Sequence, residues 1–282
     1  AERQWHDPLL RQPDGAADDL GQRPRGAGRK LNGGRATAVT VFHVGTQGWN
    51  YDAWSGAFYP PRTPSGARLE LYSRVFDSVE IDSTFYAAPP PERFHSWYER
   101  TPAGFTFTVK LPRDITHDAR LRAAEAMLLD FCDSAAGLRE KLGPILVQLP
   151  PDMGIDEWRN VAEFVPLLPK ELDFAIEFRD VAWFTERTYD LLRTWQVAMA
   201  VSVGPWATSQ QALRAAIDAP GTFGYYRWMA SPRHQPLTPA LVAERDAELA
   251  AWAELILGTD HPVVYAYFNN DYQGHSPESA RR

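Results

Sequence analysis

The sequence predicts an α/β fold, one (β/α)8 TIM barrel forming a single domain over residues 39–282, with a disordered N-terminal arm over residues 1–38. Three features point to it. Eight short apolar runs punctuate the chain after residue 38, they alternate with stretches of helical period, and the first 38 residues carry neither pattern. Strands that alternate with helices build a parallel sheet. Eight such units in about 230 residues is the size at which that sheet closes on itself.

The arm is rich in Arg, Gly, Asp and Pro, as in the run from Gly21 to Lys30. With no apolar period to bury, it is predicted to stay disordered. Its basic run from Arg23 to Arg35 suits nucleic acid, although a solvated tail is the simpler reading.

The eight apolar runs are Val41–Thr46, Ser78–Asp82, Phe105–Lys110, Pro144–Leu149, Phe174–Phe178, Val197–Val201, Phe223–Trp228 and Val263–Phe268. Each is rich in Val, Ile, Phe or Tyr and lacks strict alternation, as a strand buried on both faces does. Between them, Leu121, Ala124, Leu128, Phe131, Ala135, Leu138 and Leu142 recur at steps of three and four. So do Trp158, Val161, Val165 and Leu168, and later Val242, Leu249, Trp252 and Ile256; each set marks one buried helix stripe. Thr63-Pro64 reads as the start of a helix through Leu69, Tyr72 and Phe76. A doubly wound open sheet is the alternative. Gly45-Thr46-Gln47-Gly48 is not its phosphate-binding turn, because no helix period follows at once.

Composition narrows the function classes. The net charge of -7 gives no global attraction to nucleic acid or anionic lipid. The single cysteine, Cys132, excludes an internal disulfide and a Cys-based zinc site. It reads as a small core residue, and a reducing cytoplasm is the expected compartment. No run is long and apolar enough to span a membrane, and the N-terminus lacks the apolar core of a signal peptide. No nucleophile elbow, phosphate loop, metal cluster or cofactor fingerprint is present, so neither a metal nor a cofactor is predicted.

A barrel carries its site at the C-terminal ends of its strands, and this rule selects candidates. Strand 1 is followed by Trp49, Tyr51 and Trp54. Strand 2 holds Glu80 and Asp82, then Thr84 and Tyr86. Strand 3 ends at Lys110, with His117 a short loop later. Strand 4 ends in Gln148, and strand 5 in Glu177 and Arg179 before Trp183. Strand 7 supplies Arg227, and strand 8 runs into Asn269, Asn270 and Asp271. Charges at the end of apolar runs are costly unless paired or functional. Trp195 and Trp206 flank strand 6 and read as packing residues, and His95 as a boundary residue.

Six segments in this order resemble the motifs of the DUF72, or YecE-like, family. They are Gly45–Trp54, Glu80–Tyr86, Phe107–Lys110 with Ile115–His117, Leu142–Pro151, Glu177–Arg179 with Trp183, and Tyr267–Asp271. The resemblance covers roughly residues 43–275. It implies a TIM barrel and brings no assigned activity. Two departures stand out. The second motif usually has Asn where this chain has Asp82, and the strand-7 Arg is usually followed by His-Gly where this chain has Trp228-Met229. The chain also ends about a dozen residues after strand 8, so the last helix is expected to be short or the segment incomplete.

The leading functional expectation is a hydrolase or lyase acting on an anionic or phosphorylated small molecule. Lys110, Arg179 and Arg227 would hold the anion. Glu80 or Glu177 would be the general base, with Lys110 also in a catalytic role. Trp49, Tyr51 and Trp54 would cover the ligand, and Asp82, Thr84, Tyr86, His117, Gln148, Trp183 and Asn269 would line the pocket. A second expectation is a nucleic-acid-binding or nucleic-acid-processing barrel. His117, His43, His234 and His275 do not fall at the ends of successive strands, which argues against a multi-metal centre. A third is a glycosidase built on Glu80 and Glu177. The remaining reading is a non-catalytic binding protein, its charged cluster a salt-bridge network.

Overall fold

The computed structural model describes residues 39–229, 238, 240–242 and 244–282. The expectation for the arm and the candidate His234 lie outside the described residues. Eight strands run β1 Val41–Thr46, β2 Ser78–Ile81, β3 Thr106–Lys110, β4 Leu142–Gln148, β5 Phe174–Glu177, β6 Ala198–Val203, β7 Gly224–Trp228 and β8 Val263–Phe268. The helices are α1 Arg68–Tyr72, α2 Pro91–Glu99, α3 Glu125–Ala135, α4 Trp158–Phe164, α5 Glu186–Thr194, α6 Ser209–Asp218, α7 Asp246–Leu257, α8 Asn270–Gln273 and α9 Ser276–Arg281. All strands are parallel, in the order β1-β8-β7-β6-β5-β4-β3-β2. This is the (β/α)8 barrel that the eight runs predict.

Helical stripes proved less continuous than their spacing suggests. The stripe from Leu121 to Leu142 breaks at both ends. Arg120, Leu121 and Ala123 take positive φ, and a tight 3-10 segment with Arg139 at φ 50° follows α3. Leu121 is still buried, so its periodicity reports the core rather than the helix. Val242 lies outside α7 and is exposed, and Phe76 lies beyond the short α1.

Two apolar layers lie between sheet and helices. One joins β2–β5 to α1–α5, and the other joins β6–β8, with Val44 of β1 packed against it, to α6 and α7. Inside the barrel, alternate residues point inward. Ala175, Ala198 and Ala200 leave the space that Phe223, Tyr225, Tyr265 and Tyr267 fill. Register sets Gln148 beside Glu177, Ser202 beside Arg227, and Arg227 beside Tyr267. Polar inward residues thus collect at the C-terminal end.

The barrel closes at a seam between β1 and β2 that carries no ladder beyond a bridge of Gln47 with Glu80. The Tyr72 hydroxyl of α1 fills the gap. It accepts from the Thr46 backbone N–H at 2.9 Å and donates to the Ser78 carbonyl at 3.0 Å. Gly45 permits this approach, since a Cβ there would sit 2.2 Å from the Ser78 carbonyl oxygen. Gly45→Ala must therefore part the two strands and should cost about 1–3 kcal/mol. Tyr72→Phe leaves two buried backbone groups without a partner, for a similar loss of about 1–3 kcal/mol. Urea unfolding checks both, and unchanged midpoints would show that the seam is not held in this way.

Candidate functional site

At the C-terminal end of the barrel, Arg227 stands at the centre of a fully buried ionic floor. Arg227, Glu80 and Glu177 have no exposed side-chain surface. Arg227 Nη2 donates to Glu80 Oε1 at 2.7 Å, and Nε donates to Glu80 Oε2 at 2.9 Å. Its Nη1 donates to Glu177 Oε2. Tyr225 donates its hydroxyl to Glu80 Oε2 at 2.7 Å. Glu177 accepts further from Gln148 Nε2 at 3.0 Å, Ser202 Oγ at 3.1 Å and Arg179 Nε at 3.3 Å. Two carboxylates offer about eight acceptor positions in all, and these donors take most of them.

The two glutamates differ in acidity. Burial raises Glu80 well above the ordinary carboxylate range, against the pull of Arg227. Burial also pushes Glu177 up. There Arg227, Arg179, the Gln148 hydrogen bond and Lys110 together exceed it and carry the group down to about 2. Glu80 is thus the floor group readier to hold a proton.

Above the floor lies a rim whose groups keep open valences. Lys110, 8% exposed, seats its Nζ 3.8 Å above the Phe85 ring and has no ion pair among the described residues. Burial, opposed by Asp82 and aided by Arg227, brings its pKa down to about 8. Arg179 lays its guanidinium on Trp206 at 4.5 Å. Asp82 lies 3.7 Å from Arg227 Nη2, with its Oδ1 buried and free of hydrogen bonds. His117 packs edge-on against Phe85, and its Nδ1 meets Thr116 Oγ1 at 2.9 Å. Burial, then Lys110, Arg179 and Arg113, lower its pKa to about 4.

Not every predicted residue reaches this space. Trp54, expected over the ligand, is fully buried and donates Nε1 to Asn270 Oδ1. Trp183, expected to line the pocket, stacks on Phe178 beneath the surface and donates to the Met153 carbonyl. Thr84 is likewise buried and ties the loop after β2 to the Lys110 backbone. Asn269 caps α8 and donates to Gln47 Oε1. Trp49, Tyr51, Asp82 and Tyr86 instead border a cavity of 530 Å³ beside the mouth, with Arg93 and Trp97. Tyr51 holds its edge by donating to the Gln47 carbonyl.

Several contributors escaped the sequence reading. Ser202 lies one residue beyond the sixth predicted run, inside β6, and Tyr225 sits within the seventh run as one of its apolar-looking positions. Trp206, read as packing, covers Arg179 and donates to Ser202 Oγ at 3.2 Å. Its place directly after β6 was the available signal, since the same rule that selected Trp49 applies there. The altered strand-7 motif divides by alternation. Trp228 points outward and stacks on Phe268, while the Met229 sulfur reaches Gln47 Nε2 near the mouth. Among the described residues, no three His, Cys, Asp or Glu side chains group as a metal site, and no helix is long and apolar enough to cross a membrane.

The space between Glu80 and Glu177 is filled by the Arg227 guanidinium, so a sugar cannot lie between them as the glycosidase reading requires. Arg227→Met strands two buried carboxylates and should cost about 3–5 kcal/mol. Adding Glu80→Gln and Glu177→Gln should return part of that loss. Chemical denaturation checks the set, and an Arg227→Met protein as stable as the parent would remove the floor's structural role.

The family model described as "Protein of unknown function DUF72" matches residues 43–282. UPF0759 protein YecE of Escherichia coli (strain K12) is 30% identical over 146 residues, 52% of this chain and 51% of that protein. UPF0759 protein YunF of Bacillus subtilis (strain 168) is 31% identical over 159 residues, 53% of this chain and 55% of that protein. The chain spans about half the length of the curated relatives it matches. A DUF72 family protein of Thermotoga maritima MSB8 superposes with a TM-score of 0.70 at 24% identity, over 85% of this chain and 96% of that one. One from Enterococcus faecalis V583 gives 0.64 at 20% identity, over 86% and 96%. At these identities the structural likeness is one of fold. The match of the family model runs from β1 through α9, and the chain belongs to the DUF72 family.

Proposed function

We propose that the barrel mouth binds an anionic small molecule, and that its chemistry there is of the hydrolase or lyase kind. One observation carries the reading. Lys110 and Arg179 face the rim as cations that the floor leaves under-neutralised: Lys110 has no carboxylate partner among the described residues, and Arg179 has a single 3.3 Å bond to Glu177. Two such cations, one a planar fork and one a point charge, suit a carboxylate or phosphate.

The adjoining cavity of 530 Å³ has room for the body of a small ligand. The reacting end moves from the glutamates to the rim, because Glu80 and Glu177 are saturated and have no exposed surface. Asp82, 28% exposed, is the rim carboxylate placed to exchange a proton with a ligand. Neutral His117 is the second candidate.

Thermal shifts in phosphate, sugar phosphates, small carboxylates and neutral sugars, each with and without divalent metal, test the reading. An anion at 100 times its dissociation constant should add about 2.7 kcal/mol, or about 5–10 °C for a domain of this size. Lys110→Met and Arg179→Gln should each weaken that binding about tenfold or more. Absence of a shift with every anion, or shifts that both variants retain, would sink the proposal.

His117 gives an independent check by pH. Its folded pKa lies below the ordinary 6.5, so between pH 4 and 6.5 the unfolded chain binds the extra proton. His117 therefore favours the fold above that window, and this contribution is lost as pH falls through it. By NMR its titration should centre near 4 and move up in Lys110→Met, or when a bound anion offsets Lys110 and Arg179. A midpoint unmoved by Lys110→Met would remove the ammonium as a cause.

A further inference from the structure

Three cations face the mouth, and they are not equivalent. Arg227 holds two glutamates and Arg179 shares one of them. Lys110 alone, among the described residues of this site, ends without a carboxylate. Its amine rests instead on the Phe85 ring, in a residue 8% exposed. Arg179 and Arg227 lie near enough to disfavour its charge further. Desolvation and neighbouring cations are the two conditions that turn a lysine into an amine nucleophile. An ammonium with a merely structural role would be expected to find a carboxylate, and three stand close by.

We propose that Lys110 condenses with the carbonyl carbon of a 2-oxo acid bound in the mouth. The inference rests on the anion-binding reading and names its substrate class: Arg179 takes the ligand carboxylate, and Lys110 acts on the adjacent ketone or aldehyde. The Nζ lone pair attacks the carbonyl carbon, and the π pair moves to oxygen, which takes a proton. The same oxygen then takes a second proton and leaves as water while the nitrogen lone pair closes the C=N bond, and nitrogen gives up its two protons in turn, so that amine and carbonyl give imine and water. No oxidant or reductant is consumed. Asp82, 28% exposed at the rim, and His117, whose Nδ1 meets Thr116 Oγ1, are the groups placed to carry these protons.

The imine can be trapped on the unaltered protein. The full chain is incubated with pyruvate and sodium cyanoborohydride, digested, and its lysine peptides are weighed. The expected result is a carboxyethyl group on Lys110 at about ten times or more the level on exposed Lys170, saturating with pyruvate. In Arg179→Gln, half-labelling should need about tenfold more pyruvate. Labelling of Lys110 no greater than that of Lys170 overturns the proposal. Lactate, which keeps the carboxylate and lacks the ketone, separates the two levels of the reading. A lactate thermal shift that depends on Arg179, with no label on Lys110, removes the imine and leaves the anion site. Absence of both removes both.

Discussion

The mouth of this barrel depends on one buried guanidinium. Arg227 on β7 reaches Glu80 on β2 and Glu177 on β5, three strands that are not neighbours in the sheet. Three charges removed from water cost several kcal/mol each, and their attraction repays this only with good geometry and full hydrogen bonding. The surrounding residues meet that condition. Tyr225 completes Glu80, while Gln148, Ser202 and Arg179 complete Glu177. Each donor comes from a different strand or its end, so the floor fixes the barrel's cross-section at the level where the loops begin.

The layer beneath explains why an ionic floor is tolerated there. Tyrosines occupy the interior where many barrels place branched aliphatics. Their rings fill the volume opposite Ala175, Ala198 and Ala200, and their hydroxyls supply donors at depth. Tyr267 meets Ser78 at 2.5 Å, and Tyr225 reaches Glu80. The β1–β2 seam uses the same device from outside the barrel, with Tyr72 supplying the bonds a ladder would make. That seam leads into the Gly48–Trp54 loop, whose Trp49 and Tyr51 border the cavity. The closure of the barrel and the shape of the mouth therefore share their supports.

Strands were legible in the sequence because burial on both faces leaves an apolar run of strand length whatever its partners. All eight lie within a few residues of the predicted bounds. Depth was not legible. Glu80 and Asp82 both belong to the end of β2, yet one is sealed in the floor and the other is 28% exposed at the rim. Spacing cannot separate them, since residues two apart point the same way. Aromatic residues posed the same problem. Trp54 and Trp206 both follow a strand, but Trp54 turns into the core through its bond to Asn270, and Trp206 lies over Arg179. What decided each case was a partner more than 200 residues away for Trp54, and a nearby strand-end cation for Trp206.

The state of Lys110 follows from that difference in depth. Among the described residues around the floor, three cations, Lys110, Arg179 and Arg227, meet three carboxylates, Glu80, Glu177 and Asp82. Even pairing would leave no cation over. The pairing is uneven because Arg227 draws both floor glutamates, and Arg179 takes a remaining position on Glu177. Asp82 in turn lies nearest Arg227 rather than in an ion pair with Lys110. The ammonium is left with the face of Phe85, which attracts a cation far less than a carboxylate does in so dry a place. An open amine at the rim is thus a product of saturation below it. The buried ionic floor and the amine seated on Phe85 are one arrangement: the better the floor satisfies itself, the less it has to offer Lys110.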